Sequence, residues 1–317
     1  MRDGAAAQMH ARIQDVPAPA SPAPRVWTPL DLIKWTTGYF QKKGIASPRL
    51  EAELLLADVL DCPRIRLYVD FEKAVPQEKL AQYRDYVRRR GENREPLAYI
   101  VGHAQFLDLR LKVGPAVLIP RPETEILALW AVERAKEFAL ERSGDVRVAD
   151  MCTGSGCLAL YIAAKEPRAA VAAADISASA LAVAEENARA LKLEGRVTFR
   201  QGDLFGALPP EEKGTFDLLV ANPPYVDPAA RETLQAEVRD HEPAEALYAQ
   251  GGALSIVGRI LAEAPAWLKP GGWLGMELGL NQTDGVRRLA QESGGYDSIE
   301  ITADDAKLPR YLHARRV

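Results

Sequence analysis

Four consecutive residues, Asn222-Pro223-Pro224-Tyr225, follow the apolar run 216–221 and carry groups that suit a planar amino group. The Asn222 side-chain carbonyl and the Pro223 main-chain carbonyl can each accept a hydrogen bond from an NH2 group. The prolines restrict the backbone that aims these oxygens, and the ring of Tyr225 can stack on a flat ligand. This chemistry predicts methylation of a planar nitrogen. For the tetrapeptide alone, a proline-stiffened turn after a strand is the alternative.

A glycine-rich segment that follows the apolar run 146–149 has the features of a nucleotide-type cradle. Its glycines permit a tight turn in which main-chain N–H groups can approach a ligand. The spacing is not the G-x-G-x-x-G fingerprint of dinucleotide-binding proteins, so a purely structural turn is the alternative. The candidate residues of this segment are Cys152, Thr153, Gly154, Ser155 and Gly156.

Two acidic residues follow the next apolar runs. Asp175 can accept hydrogen bonds from both hydroxyls of a ribose, or it can cap the helix that Ser177 begins. Asp203, in the segment 201–205, can bind an adenine edge or be an ordinary loop acid. Both NAD and S-adenosylmethionine present adenosine to such residues. Asn222 favours S-adenosylmethionine, because a dehydrogenase needs a proton-transfer group near its nicotinamide.

The elements that must position these residues are short apolar runs that alternate with helical patterns. The runs cover 146–149, 170–174, 196–199, 216–221 and 273–278, and 177–191 is one of the intervening helices. This alternation predicts an α/β fold with a mostly parallel sheet and helices on both faces. The candidate residues then lie at the carboxyl ends of successive strands, where open α/β sheets bind ligands.

The part of the chain before residue 123 has a different character. Residues 1–26 are rich in Ala and Pro, which predicts a disordered leader rather than a targeting signal. Residues 27–95 predict a helical bundle, in which Thr28-Pro29 begins one helix, Gly44 ends it and Ser47-Pro48 begins the next. The cations 88–90 before Gly91 predict a last helical turn, with binding to an acidic partner as the alternative. Residues 96–122 predict a linker with a β-hairpin, whose alternating stretch 107–113 is a half-buried strand.

The composition excludes several functional classes. The chain has 317 residues and a net charge of -4, and its isoelectric point of about 5.8 argues against a partner held mainly through phosphates. No apolar stretch approaches the roughly 18 residues that span a bilayer, so we expect a cytoplasmic protein without a membrane partner. The cysteines and the four histidines give neither a disulfide framework nor metal-ligand spacing, so no metal is expected. We interpret the cysteines as small apolar packing residues: Cys62, Cys152 and Cys157.

Several segments together resemble the release-factor glutamine N5-methyltransferases, the HemK/PrmC family. The resemblance covers about residues 27–315, and its specificity comes from the combination of segments 47–55, 95–102, 118–125, 152–156 and 222–225. Segment 118–125 and the helical amino-terminal domain separate this family from DNA methyltransferases that share Asn-Pro-Pro-Tyr. The resemblance implies a class I S-adenosylmethionine-dependent methyltransferase domain at 123–317, with a Rossmann-like doubly wound sheet. It also implies that 27–95 is a small helical-bundle domain that recognises substrate.

The resemblance implies a role for each candidate residue. S-adenosylmethionine would be held by Cys152, Thr153, Gly154, Ser155, Gly156, Asp175, Asp203, Leu204 and Asn222. The substrate glutamine would be held by Asn222, Pro223, Pro224 and Tyr225, of which Asn222, Pro223 and Tyr225 are catalytic.

The implied substrate is the glutamine of the Gly-Gly-Gln loop of peptide-chain release factors. A glutamine of a ribosomal protein is the nearest alternative, and the N6 of a nucleic-acid adenine is a different class that the acidic isoelectric point disfavours. No stable binding of nucleic acid is expected. The carboxyl end departs from the family, because segment 304–311 replaces the usual hairpin that contains Gly and Asp-Arg.

Overall fold

The computed structural model describes residues 26–142, 144–249 and 251–317. Its contacts divide the chain into two compact units, with the boundary between Glu92 and Asn93. The predicted leader lies outside the described residues, except for Val26.

The described part of the first unit is helical. Inward-facing apolar side chains such as Phe40, Leu55 and Leu56 are fully buried and form its core. The Tyr83 hydroxyl lies within this core, where it donates to Thr36 Oγ1 at 3.0 Å. The helices are α1 (Pro29–Lys42), α2 (Pro48–Val59), α3 (Arg66–Val69) and α4 (Gln77–Glu92).

The predicted ends of α1 are confirmed, and the start of α2 is confirmed in part. The Thr28 side chain accepts a hydrogen bond from Asp31 N at 3.3 Å, and Gly44 follows α1 with a φ of 69°. Ser47 precedes α2 as predicted, but its side chain makes no capping hydrogen bond. The fixed φ of Pro48 therefore favours the start of this helix without help from a cap.

The prediction that α4 ends before Gly91 is wrong, because the helix continues to Glu92. A Cβ at position 91 would lie 2.4 Å from Tyr39 Cε1, so close packing rather than a helix end accounts for this glycine. Arg90, in the predicted cationic turn, is buried and pairs with Glu51 at 2.5 Å. This arginine has a structural role, in agreement with the simpler of the two interpretations.

The second unit begins with a short helix and the predicted hairpin, and then alternates strands and helices. The hairpin strands are β1 (His103–Phe106) and β2 (Leu109–Lys112), and the first helices are α5 (Leu97–Val101) and α6 (Pro122–Glu141). Next come β3 (Val146–Met151), α7 (Cys157–Lys165), β4 (Ala169–Asp175), α8 (Ala178–Leu191), β5 (Val197–Gln201) and β6 (Phe216–Ala221). The remaining elements are α9 (Ala236–His241), α10 (Ala244–Leu247), α11 (Ser255–Trp267), β7 (Leu268–Glu277), α12 (Thr283–Glu292), β8 (Tyr296–Ala303) and β9 (Pro309–Arg316).

The hairpin differs from its prediction at Leu107. The alternating pattern predicts one strand from Leu107 to Val113, but Leu107 has a φ of 51° and lies in the turn between β1 and β2. Its main-chain N–H donates to Glu125 Oε1 at 2.8 Å, which ties the turn to α6. The apolar period continues into the turn because Leu107 packs against the core of the second unit.

The described residues of the second unit form a seven-stranded sheet in the order β5-β4-β3-β6-β7-β9-β8. The strands from β5 to β7 are parallel, and β9 pairs antiparallel with both β7 and β8. The strand order reverses at β3, which has β4 on one side and β6 on the other, so a ligand site is expected at the carboxyl ends there. The predicted doubly wound α/β fold is confirmed. The departing segment 304–311 forms the turn between β8 and the start of β9.

Helices cover both faces of this sheet, as the sequence predicts. Leu218 and Val220 of β6 pack in a cluster with α6 and α7, whereas Leu219 and Ala221 pack in a second cluster with α11 and α12. All residues of β6 are buried, which explains why the run 216–221 is continuously apolar apart from Asp217. Asp217 is paired with Lys269 at 2.9 Å, so its buried charge is compensated.

Candidate active site

A cavity of about 330 Å³ lies at the carboxyl ends of β3, β4, β5 and β6. Its volume suits a small-molecule ligand. The predicted residues that line it are Cys152, Thr153, Gly154, Ser155, Asp175, Asp203, Leu204, Asn222 and Pro224. Gly156, Pro223 and Tyr225 are not among the lining residues. The fold thus brings together, at one edge of the sheet, residues that are up to about seventy positions apart in the sequence.

Asp175 holds the glycine-rich turn in place. Its Oδ2 accepts from Gly154 N at 2.9 Å, and its Oδ1 accepts from Ser177 N at 2.9 Å. Burial raises the pKa of Asp175, and these main-chain donors oppose that effect. A carboxylate has about four acceptor positions, so Asp175 can also accept from ligand hydroxyls. The alternative that Asp175 caps α8 is wrong, because Ser177 is the cap and its Oγ accepts from Ala180 N at 3.2 Å. Binding of a ribose by Asp175 stays a prediction.

Asp150, near the end of β3, also holds the glycine-rich turn. It is fully buried, and its Oδ2 accepts from Thr153 Oγ1 at 2.6 Å and from Ala159 N at 3.2 Å. Its Oδ1 has no partner among the described residues. Burial raises the pKa of Asp150 to about 7. The sequence pattern assigned no role to this residue, although it stands only two positions before Cys152.

Backbone conformation explains which residues the turn requires. Gly154 and Gly156 have φ values of 55° and 83°, and Cys152 adopts a φ of 63° despite its side chain. A Cβ at Gly156 would approach Leu160 Cδ1 to 3.0 Å and Ala184 Cβ to 3.2 Å, so this glycine also allows the start of α7 to pack closely against α8. Burial raises the pKa of the Cys152 thiol strongly, so the thiol stays protonated, in keeping with a packing role.

Asp203 has a partner that the sequence did not reveal. Its Oδ2 lies 2.8 Å from Arg259 Nη2, and both residues line the cavity. Both side chains are about half exposed, so the pair contributes little to stability. The pair instead places a carboxylate and a guanidinium at the edge of the cavity. Binding of an adenine edge by Asp203 stays a prediction.

Asn222 begins a chain of hydrogen bonds that leads from the cavity lining to the buried Glu277. Its Nδ2 donates to Thr124 Oγ1 at 3.0 Å, and Thr124 Oγ1 donates to Glu277 Oε2 at 2.7 Å. The Tyr225 hydroxyl donates to the other carboxylate oxygen, Glu277 Oε1, at 3.3 Å. Burial raises the pKa of Glu277, while Thr124, Tyr225 and the charge of Arg310 oppose that effect.

Main-chain contacts fix the segment around Tyr225. Gln282 Nε2 donates to Tyr225 O at 2.9 Å, and Gln282 Oε1 accepts from Gly279 N at 3.0 Å. Val226 N donates to Leu247 O at 3.0 Å. The backbone after the tetrapeptide is therefore held from two sides. Whether the Tyr225 ring stacks on a substrate stays a prediction.

An ion pair between the partly exposed Arg121 and the buried Glu242 fixes the loop before α6, which forms another wall of the cavity. Arg121 Nη2 lies 2.5 Å from Glu242 Oε1, and Glu242 Oε2 accepts from Ile119 N at 3.3 Å. Arg121 and Thr124 both line the cavity. Both belong to segment 118–125, which the sequence singled out only through resemblance. Nothing in the local pattern connects them with Glu242 or Glu277.

The residues present fit S-adenosylmethionine. The cavity joins a glycine turn, two carboxylates at strand ends and, at Asn222, an amide oxygen to which no described residue donates. Carboxylates suit the hydroxyl, amino and cationic groups of such a ligand. Among the described residues, no group of His, Cys, Asp and Glu is arranged to hold a metal ion. None of the described helices has the length and apolar character needed to cross a bilayer.

Strand order and site together define a class I S-adenosylmethionine-dependent methyltransferase. The family profile of the methyltransferase small domain matches residues 138–276, and that of the PrmC N-terminal domain matches residues 31–102. The structure is also similar to that of the hMettl16 catalytic domain solved in complex with MAT2A 3′UTR hairpin 6. The TM-score is 0.51 at 15% identity, covering 75% of this chain and 81% of the other, and this similarity shows the fold alone.

Sequence relatives are more specific than the fold. A protein of Rhodopirellula baltica named release factor glutamine methyltransferase is 40% identical over 92% of this chain and 97% of the relative. A protein of Geobacter sulfurreducens with the same name is 40% identical over 89% of this chain and 94% of the relative. The chain belongs to the release factor glutamine methyltransferase family, as its resemblance to the HemK/PrmC family predicts.

Proposed function

We propose that this enzyme transfers a methyl group from S-adenosylmethionine to the side-chain amide nitrogen, N5, of the glutamine in the Gly-Gly-Gln loop of peptide-chain release factors. The observation that carries the proposal is the environment of Asn222. This residue lines the cavity, and its own amide nitrogen is bonded to Thr124. Its carbonyl oxygen can therefore accept one N–H of a substrate carboxamide. The names of the two relatives support a release factor as the substrate.

The chemistry requires geometry rather than a strong base. A carboxamide nitrogen is a poor nucleophile, because its lone pair is delocalised into the carbonyl. Asn222 Oδ1 and the Pro223 carbonyl would each accept one N–H, fix the nitrogen and stabilise the positive charge that develops on it. S-adenosylmethionine, when bound, supplies a methyl group on a sulfonium. The methylated amide cation is strongly acidic and loses its proton without a catalytic base.

The same two acceptors give specificity for an amide. A glutamate side chain cannot donate two N–H bonds, and it would leave both carbonyls without a donor. A site built for hydrogen bonds rejects a ligand that lacks them far more strongly than an apolar pocket rejects a changed shape. We propose that Tyr225 adds stacking on the flat carboxamide.

Protein recognition is proposed for the helical unit, which matches the PrmC N-terminal domain profile. We propose a cytoplasmic location and no stable binding of nucleic acid, in keeping with the acidic isoelectric point of about 5.8. A ribosomal-protein glutamine is the second candidate substrate. The clamp formed by the carbonyl oxygens of Asn222 and Pro223 would accept any exposed carboxamide. An adenine amino group is a third candidate, since it is also planar.

The test is incubation with labelled S-adenosylmethionine and one acceptor at a time: release factor, ribosomal proteins, RNA and DNA. A release factor whose Gly-Gly-Gln glutamine is replaced by glutamate is the matched control. We expect label on that glutamine and none in the glutamate variant. Label in ribosomal proteins or nucleic acid alone would overturn the proposed substrate.

A further inference from the structure

The hydrogen bonds that connect Asn222 to Glu277 have a defined direction. A threonine hydroxyl has a single proton. Thr124 donates that proton to Glu277 Oε2 at 2.7 Å, and the Tyr225 hydroxyl donates to Glu277 Oε1 at 3.3 Å. With its proton committed, Thr124 Oγ1 can only accept from Asn222. The amide nitrogen of Asn222 must then face Thr124, which leaves Oδ1 free to accept from the carboxamide of the substrate.

We infer that Thr124 and Glu277 are positioning residues that fix the orientation of the Asn222 carboxamide. The inference rests on the proposed function, because it explains how the first of the two acceptors is aimed. An asparagine carboxamide can turn by 180° about its last bond with almost no change in shape. The turned form would present Nδ2 to the substrate, so that one donor would face another. The direction of the hydrogen bonds from Asn222 through Thr124 to Glu277 removes this second orientation.

Burial makes the orientation strict. Thr124 and Glu277 are each only 1% exposed, so water is excluded as a replacement for either partner. A buried carboxylate without donors is costly, which penalises any rearrangement that takes the Thr124 proton away from Glu277.

The hydrogen-bond chain also connects residues from three different parts of the fold. Thr124 belongs to the first turn of α6, Glu277 ends β7 and Asn222 follows β6. In the sheet, Glu277 pairs with Tyr311, whose hydroxyl donates at 2.7 Å to the carbonyl of Glu123, next to Thr124. Thr124 and Glu277 are therefore held by α6 and the sheet, and Asn222 directly follows a strand of that sheet. Catalytic geometry built on such elements is held more accurately than geometry on loops.

The hydrogen-bond chain also affects the charge on Asn222 Oδ1. Hydrogen bonds in series polarise one another in a low-dielectric interior. The Glu277 carboxylate, acting through Thr124, draws the Asn222 N–H toward Thr124 and increases the negative charge on Oδ1. That is the atom at which positive charge on the substrate nitrogen would be stabilised during transfer.

The test uses the full chain with S-adenosylmethionine and release factor. Thr124→Val keeps the shape and removes the hydroxyl, and it is expected to lower kcat by about 10- to 100-fold. Thr124→Ser restores the hydroxyl, so its kcat should lie within about threefold of the wild type. The double variant Thr124→Val with Glu277→Gln should be within about threefold of Thr124→Val alone, because both changes break one chain.

A second readout does not depend on the substrate. In ¹⁵N-labelled protein, the Asn222 side-chain amide, assigned by its absence in Asn222→Asp, should be protected from exchange in the wild type and in Thr124→Ser, but not in Thr124→Val. Thr215→Val is the matched control, since it removes a threonine hydroxyl that donates to Glu212 O at 2.6 Å outside the cavity.

Wild-type kcat or wild-type protection in Thr124→Val would overturn the inference, as would a double variant that is much slower than Thr124→Val. The expected protection pattern, in an enzyme that leaves release factor unlabelled, would instead overturn the proposed substrate and keep the positioning role.

Discussion

Replacing Asn222 by alanine tests the clamp most directly. The change removes Oδ1, one of the two proposed acceptors, and also the bond from Nδ2 to Thr124 at 3.0 Å. Loss of one preorganised group that stabilises developing charge costs about 2.7–4 kcal/mol, or about 10²- to 10³-fold in kcat. The loss in unfolding free energy should be only ~1 kcal/mol, because Glu277 keeps both of its hydroxyl donors.

A second substitution at the same position separates shape from hydrogen bonding. Asn222→Asp keeps the shape but places a carboxylate beside Thr124, whose proton is already donated to Glu277. We expect this variant to be at least as inactive as Asn222→Ala and less stable, because two carboxylates would compete for one hydroxyl.

The assay is single-turnover transfer of labelled methyl to release factor at saturating cofactor, with the cofactor Kd from calorimetry and stability from urea unfolding. Asn93→Ala, at an exposed position that does not line the cavity, is the matched control. Asn222→Ala should bind the cofactor almost as well as the wild type. Turnover within tenfold of the wild type, or a loss that appears wholly in the cofactor Kd, would refute the two-acceptor mechanism.

Three further predictions concern the rest of the site. Tyr225→Ala should raise KM for release factor by about 3- to 10-fold through lost stacking while changing the cofactor Kd less; equal changes in both would contradict the stacking role. Gly202→Ala should lower the free energy of urea unfolding by about 1–3 kcal/mol and weaken the cofactor binding measured by calorimetry. The added Cβ would lie 2.7 Å from Ala207 Cα and displace the loop that follows β5. Unchanged stability would show that this loop adapts without cost. Burial raises the pKa of Asp150 to about 7 from its ordinary 3.8. Its contribution to the free energy of unfolding is therefore fully present below about pH 4 and is lost as the pH rises through about 7. This contribution is at most about 4 kcal/mol. Asp150→Asn should therefore flatten the pH dependence of urea unfolding between about pH 4 and 8, and an unchanged slope would contradict this assignment.

The sequence predicts the elements whose residues interact locally. The alternation of apolar runs and helices identifies the parallel sheet. The glycine turn follows its first strand and Asp175 ends its second, at the edge where the cavity lies. Gly44 is found at the end of α1, because a left-handed residue after a helix has a local signature.

The partners of those residues are not predictable in the same way. Thr124 is 98 positions from Asn222 and 153 from Glu277, so no local pattern connects them. Gly91 also looks like a helix end in sequence, and only the ring of Tyr39 above it shows why a side chain is excluded. Contacts of this kind are set by tertiary packing, which overrides local preference.

The position of β9 has a consequence for the order in which the enzyme is made. A nascent chain folds as it is synthesised, with the amino-terminal part first. β9 lies between β7 and β8 in the sheet, although both neighbours precede it in the chain. Tyr311 of β9 pairs with Glu277 and bonds to the start of α6, so a nascent chain that already contains Asn222, Thr124 and Glu277 still lacks the strand that braces them. Methyl-transfer competence should therefore appear abruptly, when β9 leaves the ribosome and inserts, rather than grow in stages with chain length.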